Sequence, residues 1–188
     1  MSRFSSEKAL IKGCRKGKRQ AQQQVYEQYS PKMFAVCLRY VRHQFDAEEV
    51  MTNGFLKVFN KIDQFKEEGS FEGWIRRIMV NEALNHLRKN KMQQSEVDIE
   101  NTKEVAEYAE AESNLNAEDL MKCVNQLPDG YRTVFNLYAI EGYSHKEIAE
   151  KLGISTNTSK SQLSRARVLL QKYVSEQEKK TFSLDHHD

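Results

Sequence analysis

Proline and glycine are scarce in this chain, with 2 Pro and 8 Gly among 188 residues. With 39% hydrophobic and 30% charged side chains, that scarcity points to helices with wide polar faces and short connections. Cysteine is also sparse. Cys14, Cys37 and Cys123 are odd in number and far apart, which excludes a disulfide framework and paired metal spacing. Reduced thiols of a cytoplasmic protein are expected, with Cys37 a small core residue among apolar neighbours. There is no strand alternation, no internal repeat and no glycine-rich phosphate loop. No apolar stretch is long enough to span a membrane. The opening MSRFSSEKALIKGCRKGKR lacks the apolar run of a signal peptide. His43, His86 and His145 lie far apart, without close ligand spacing such as H-E-x-x-H. His186-His187 in the tail is at most a weak metal site. No nucleophile–base arrangement stands out, so neither catalytic residues nor cofactors are expected.

The net charge of +2 conceals an uneven distribution. Residues 1–92 carry 18 Lys and Arg against 10 Asp and Glu, a net +8. Residues 93–126 carry 2 against 9, a net −7, and residues 127–188 carry 9 against 8. A basic block followed by an acidic one suggests two bodies on a linker.

The richest segment is SHKEIAEKLGISTNTSKSQLSRARVL, Ser144 to Leu169. Ser144 and Glu147 have capping-box spacing. Ile148, Ala149 and Leu152 then share one helical face. Gly153 supplies a turn, where a residue without Cβ adopts positive φ freely. Ile154 plugs the corner, and Ser155 can cap a second helix. Leu163, Ala166 and Leu170 face inward on that helix, leaving Thr156, Asn157, Lys160, Ser161 and Ser164 outward. Small hydrogen-bonding side chains in the first turns of a second helix suit reading of a DNA major groove.

The basic block reads as successive helices. One runs from Arg19 to Tyr29. Ser30-Pro31 then reads as a cap and first helical position, opening a helix with Met33, Phe34, Cys37, Leu38 and Val41 on one face. Asp46 can cap a third, whose apolar stripe is Met51, Phe55, Val58, Phe59 and Ile62. Its polar side, from Glu48 to Asn53, is either a solvated surface or a partner-binding face. Gly54 inside it costs about 1 kcal/mol against Ala. Ser70 can cap a fourth helix with Phe71, Trp74, Ile75, Ile78, Leu84 and Leu87 as its apolar stripe. On another face Arg77, Asn81, Asn85 and Arg88 recur at spacings of four and three, extended by Lys89 and Lys91. Arg neutralises phosphate and Asn reads base edges. Phe65 and Phe71 flank the preceding loop, where exposed aromatics stack on unpaired bases. Phe71 and Trp74 read as core; for Phe65 core and base stacking stay open. From Met92 to about Asn116 the pattern weakens, with helical turns expected only around Val105 to Ala111. Periodicity resumes at Leu120, Val124 and Leu127. Pro128-Asp129-Gly130 forms a turn before a helix from Tyr131 to Ala139.

The expected fold is therefore all-α: two small helical domains joined by a flexible acidic linker, the C-terminal one with a helix-turn-helix. The expected boundaries are residues 1–92, a linker at 93–119, a second domain at 120–175 and a disordered tail at 176–188.

Over roughly residues 8–175 the chain resembles the small extracytoplasmic-function type of bacterial RNA polymerase sigma factor. The matching signatures are DAEE at Asp46–Glu49, GFLKVF at Gly54–Phe59, GWIRRIMVNEALNHLRK at Gly73–Lys89, LPDGYRTVFNLYAIEGYSHKEIAEKLGIS, and SKSQLSRAR at Ser159–Arg167. The resemblance implies that Asp46, Glu49, Thr52, Asn53 and Phe55 dock on the clamp helices of core RNA polymerase. It implies that the loop from Gln64 through Phe65 to Phe71 captures a flipped base of the -10 promoter element. Arg76, Arg77, Asn81, Asn85, Arg88 and Lys89 then help melt and hold that element. Thr156, Asn157, Lys160, Ser161 and Ser164 read the -35 element, with Arg165 and Arg167 near phosphates. The linker is implied to run toward the polymerase active centre. An anti-sigma factor, membrane-anchored in some family members, is an implied partner. Some positions depart from the family pattern. Thr52-Asn53 replaces a Gln-Glu/Asp pair, Ser159 an apolar residue, Gln162 a frequent Arg, and Lys18 an acidic residue. Ser159 is expected to loosen the packing of the recognition helix. The competing reading is a stand-alone helix-turn-helix regulator that needs no polymerase. It leaves the Arg/Asn helix and the DAEE helix unexplained.

Overall fold

The structure, a computed structural model, describes residues 4, 6–93 and 117–184. The described residues form eight α-helices and no strand, divided between two compact units that part near residue 97. The two units are taken in turn.

In the first unit, α1 (Glu7–Arg15) starts where the Ser6 hydroxyl accepts the Ala9 N–H at 3.2 Å. It buries Leu10, Ile11 and Cys14. A left-handed Gly17 turns the chain into α2, Arg19–Leu38. Lys18 stands at the N-cap and makes no side-chain cap bond. The break expected at Ser30-Pro31 is absent, because α2 continues through Pro31 as one helix. Proline removes one helical hydrogen bond. Burial of Tyr29, Met33, Val36 and Cys37 on both sides of it outweighs that loss. Helix α3 (Gln44–Asn60) begins two residues before the expected cap, so Asp46 lies in the first turn, where a negative charge suits the helix dipole. A 3-10 turn, Ile62–Gln64, and an exposed loop lead to α4, Phe71–Gln93. Ser70 caps α4, accepting the Gly73 N–H at 3.3 Å. Gly54 is more than a local cost: a Cβ built there would collide with Met79, so its absence lets α3 and α4 approach closely.

In the second unit, α5 (Ala117–Gln126) buries Cys123 and Val124, and Leu127 is buried just beyond its end, but Leu120 is left exposed. Helix α6 (Asp129–Phe135) follows Pro128 and passes into a π turn, Asn136–Ile140. Helix α7 (His145–Leu152) has the full capping box: the Ser144 hydroxyl accepts the Glu147 N–H, and the Glu147 carboxylate accepts the Ser144 N–H at 2.8 Å. Gly153 ends α7 at φ +67°. The Thr158 N–H then donates to the Ser155 hydroxyl at 2.9 Å at the start of α8, Thr156–Leu184.

Two domain expectations change. The tail expected to be disordered from residue 176 is helical to Leu184, because α8 meets no proline or glycine and continues through Glu, Gln and Lys, all good helix formers. The second domain also starts earlier than residue 120, since α5 begins at Ala117. Most of the expected acidic linker, including the turns around Val105 to Ala111, lies outside the described residues, as do residues 185–188.

Candidate nucleic-acid interface

The outward face of α8 forms as the periodicity predicts. Thr156, Asn157, Lys160, Ser161 and Ser164 are all exposed on the first turns of α8, while Leu163 and Ala166 are buried beneath. Arg165 is half-buried and donates to the Tyr131 hydroxyl at 3.5 Å. Arg167 is exposed, with its guanidinium 6.0 Å from the Tyr138 ring centre. Gln162 lies against Gly130 at the start of α6. Ser159 does not loosen the helix. It is fully buried, and its hydroxyl lies 2.9 Å from His145 Nδ1, tying the first turn of α7 to α8. Burial, with Lys160 and Arg167 nearby, pushes the His145 imidazole below its ordinary range. Its ring stacks on Tyr138 at 4.6 Å. Sequence reading missed this pair, because a lone His and a lone Ser fourteen positions apart carry no periodic signal.

On α4, Arg77, Asn81, Arg88 and Lys89 are exposed, and Arg76 and Asn85 are half-buried. Asn85 donates to Glu82 at 3.2 Å and accepts from Arg88 at 3.1 Å. Glu82 also accepts from Lys57 of α3. The Asn85–Arg88 end of the stripe is thus hydrogen-bonded to Glu82, which Lys57 ties to α3. Phe65 requires a correction. It is 4% exposed, with its ring 5.1 Å from Phe71 and 5.4 Å from Trp74, so it cannot stack on a base in this conformation. Trp74 is half-buried, lying nearly parallel to Phe71 at 5.9 Å. Gln64 and all of residues 66–70 are exposed.

On α3, Glu49, Thr52 and Asn53 are exposed and Asp46 is half-buried, 3.9 Å from His86. The Thr52 hydroxyl donates back to the Glu48 carbonyl at 2.7 Å. Phe55 is the second correction. It is 2% exposed, with its ring 4.9 Å from Tyr26, and cannot meet a partner. Leu56, beside it, is 57% exposed and Phe45 is 77% exposed. Phe45, Glu49, Thr52 and Leu56 fall at spacings of four, three and four, hence on one face. The signal was available: Leu56 stands off the apolar stripe.

The buried thiols offer no nucleophile. Burial pushes Cys14 up to about 11 and Cys37 up to about 12, and raises Cys123. Among the described residues no three His, Cys, Asp or Glu side chains gather to hold a metal, and no helix is long and apolar enough to cross a membrane.

The described residues are all helical, in two units, one with a basic Arg/Asn helix and the other with a helix-turn-helix, an arrangement of the nucleic-acid-binding class. Comparison with known proteins narrows this. The model of sigma-70 region 2 matches residues 25–92, and that of sigma-70 region 4 matches residues 117–170. The chain is 29% identical over 164 residues to the ECF RNA polymerase sigma factor SigE of Mycolicibacterium smegmatis, covering 84% of this chain and 63% of that one. It is 28% identical over 177 residues to the ECF RNA polymerase sigma factor SigW of Bacillus subtilis, covering 88% and 95%. Among solved structures, the sigma factor RpoE of Bartonella quintana, in complex with the anti-sigma factor NepR, superposes with a TM-score of 0.50 at 26% identity, covering 81% of this chain and 96% of that one. The chain belongs to the sigma-70 family of RNA polymerase sigma factors, in its extracytoplasmic-function group. Its promoter recognition depends on RNA polymerase, and the stand-alone regulator reading is set aside.

Proposed function

We propose the following division of labour for this sigma factor. The α3 face of Asp46, Glu49, Thr52 and Asn53, with Phe45 and Leu56 in place of Phe55, docks on core RNA polymerase. Exposed apolar side chains among charged ones suit a protein partner. Gln64 and the 66–70 loop, with Trp74 as the accessible aromatic in place of Phe65, take an extruded base of the -10 element. Unstacking costs a few kcal/mol per base, offset by stacking and hydrogen bonds to the flipped base. Arg76, Arg77, Asn81, Asn85, Arg88 and Lys89 hold the opened strand, adding a salt-dependent phosphate contribution. Thr156, Asn157, Lys160, Ser161 and Ser164 read the -35 element, with Arg165 and Arg167 toward the backbone. The protein acts in the cytoplasm and supplies no catalytic residue, since polymerase performs the chemistry. An anti-sigma factor, soluble or membrane-anchored, holds it inactive; the likeness to the RpoE–NepR complex supports that partner.

The observation that carries this reading is the ordered pair of region 2 and region 4 matches, each falling on a folded unit with its own exposed polar face. The test is a pull-down with purified core RNA polymerase, followed by run-off transcription from a promoter library. Binding with selective initiation is expected. Absence of binding by folded protein would overturn the docking assignment.

A further inference from the structure

Residues 66–70, Lys66-Glu67-Glu68-Gly69-Ser70, link the 3-10 turn to α4 and are all exposed. Two of the five have positive φ, Gly69 at +97° and Glu67 at +61°. Glycine takes such values freely, but a side chain with Cβ does so only when something holds it there. What holds Glu67 comes from the first helix. Arg15, the last residue of α1, donates from Nη1 to Glu67 Oε1 at 2.9 Å and from Nη2 to the Phe65 carbonyl at 2.6 Å. One planar guanidinium therefore grips both ends of the run 65–67, a geometry that a lysine ammonium cannot reproduce. The base of this grip is firm. Leu10, Ile11 and Cys14 bury one side of α1, and the Tyr29 hydroxyl donates to Glu7 at 3.0 Å. The other end of the loop is held by the Ser70 cap and the buried Phe71 ring. Arg15 lies before the residues 25–92 matched to sigma-70 region 2, while Phe65 and Glu67, which it holds, lie within them.

We propose that Arg15 is a positioning residue for base selection at the -10 element. It sets the course of the loop and neutralises Glu67, which would otherwise repel the phosphates of a strand entering beside Lys66. The proposal rests on the reading that this loop receives the extruded base.

The experiment uses the full chain bound to core RNA polymerase. Single-stranded oligonucleotides carrying the -10 element selected from the promoter library are changed one base at a time, and competitive binding is measured. Run-off transcription scores -35 variants in parallel. Arg15→Ala is expected to lower discrimination at one or two adjacent -10 positions by about tenfold, the scale of one lost base-reading contact. Preference at -35 stays unchanged. Arg15→Lys restores part of the discrimination, and Glu67→Gln, which keeps a hydrogen-bonding oxygen, loses less than Arg15→Ala. Uniform loss at both elements, with a lowered melting temperature, would show a general folding role and overturn the proposal. Unchanged discrimination in Arg15→Ala, with altered discrimination in Gln64→Ala or Lys66→Ala, would overturn the Arg15 role and leave the loop reading standing. If Gln64→Ala and Lys66→Ala also change nothing, the loop reading itself falls.

Discussion

The two units bury different chemistry. Among the described residues, the buried polar and charged side chains are Arg132, Thr133, Asn136 and Ser159, and all four belong to the second unit. The first unit is closed by apolar side chains and an aromatic run in which Tyr29, Phe65 and Trp74 meet around Phe71. Its three longest helices cover one another, so shape alone can specify how they pack. The second unit has less apolar surface to bury, and it orients its short helices with hydrogen bonds. Arg132 donates to Asp129 at 3.0 Å and to the Asn125 carbonyl at 3.3 Å, and Ser159 joins α7 to α8 through His145. Buried polar contacts of this kind select one geometry at the risk of a large loss when one partner is removed. For a module proposed to present the outward side chains of α8 to a groove, a single geometry is the useful property.

The contrast can be tested because Trp74 is the chain's one tryptophan. Its fluorescence reports the first unit, while far-ultraviolet circular dichroism reports both. The largest effect is expected from Phe71→Ala, which should cost the first unit about 4 kcal/mol through transfer and cavity terms. The fluorescence transition in urea should move to lower concentration while a second helical transition stays in place. Coincident movement of both would show that the units melt together and would break the comparison. Arg132→Ala should cost the second unit about 3 kcal/mol, moving the helical transition without the fluorescence one. Arg132→Met should recover much of that loss, since Asp129 is largely solvent-exposed and can be rehydrated.

Promoter binding by the polymerase complex should separate the units functionally. Arg88→Ala is expected to weaken binding to all sequences alike and to reduce the salt slope by about 1. Lys160→Ala should change base preference within the -35 element. An unchanged slope, or a uniform loss for Lys160→Ala, would reverse the roles. Ser159→Ala should cost about 1 kcal/mol, the scale of one buried hydrogen bond, again without a fluorescence shift. The smallest effect expected is one of pH. His145 has its proton affinity lowered in the folded state by burial and by Lys160 and Arg167, from an ordinary value of 6.5. The unfolded chain therefore binds the proton more readily. The stabilisation is complete above pH 6.5 and declines as pH falls below it. Denaturation of the second unit across pH 5 to 8 measures this, and His145→Gln should flatten the curve.

Much of the candidate interface was legible in the residues themselves. The capping box at Ser144, the left-handed Gly153 and the outward set on α8 stand as read. The Arg/Asn stripe of α4 also reaches the surface. Other readings required the neighbours. Pro31 reads as a helix start until the core on both sides of it is seen. Phe55 and Leu56 are adjacent, large and apolar, yet one is covered by Tyr26 and the other faces outward. Phe65 left two readings open, and Phe71 and Trp74 closed one of them.

By itself, the sequence determined most of the helices, the caps at Ser70, Ser144 and Ser155, and the polar faces of α4 and α8. These depend on interactions within four residues along the chain, and local order is enough to encode them. Tertiary structure alone decided which aromatic side chains are hidden, that Gly54 lies against the Met79 side chain, how Ser159 meets His145, and that Arg15 reaches across 52 positions to hold Glu67. Those outcomes depend on which helix lies against which, and that follows from the summed burial of whole faces rather than from any one residue's neighbours in the chain.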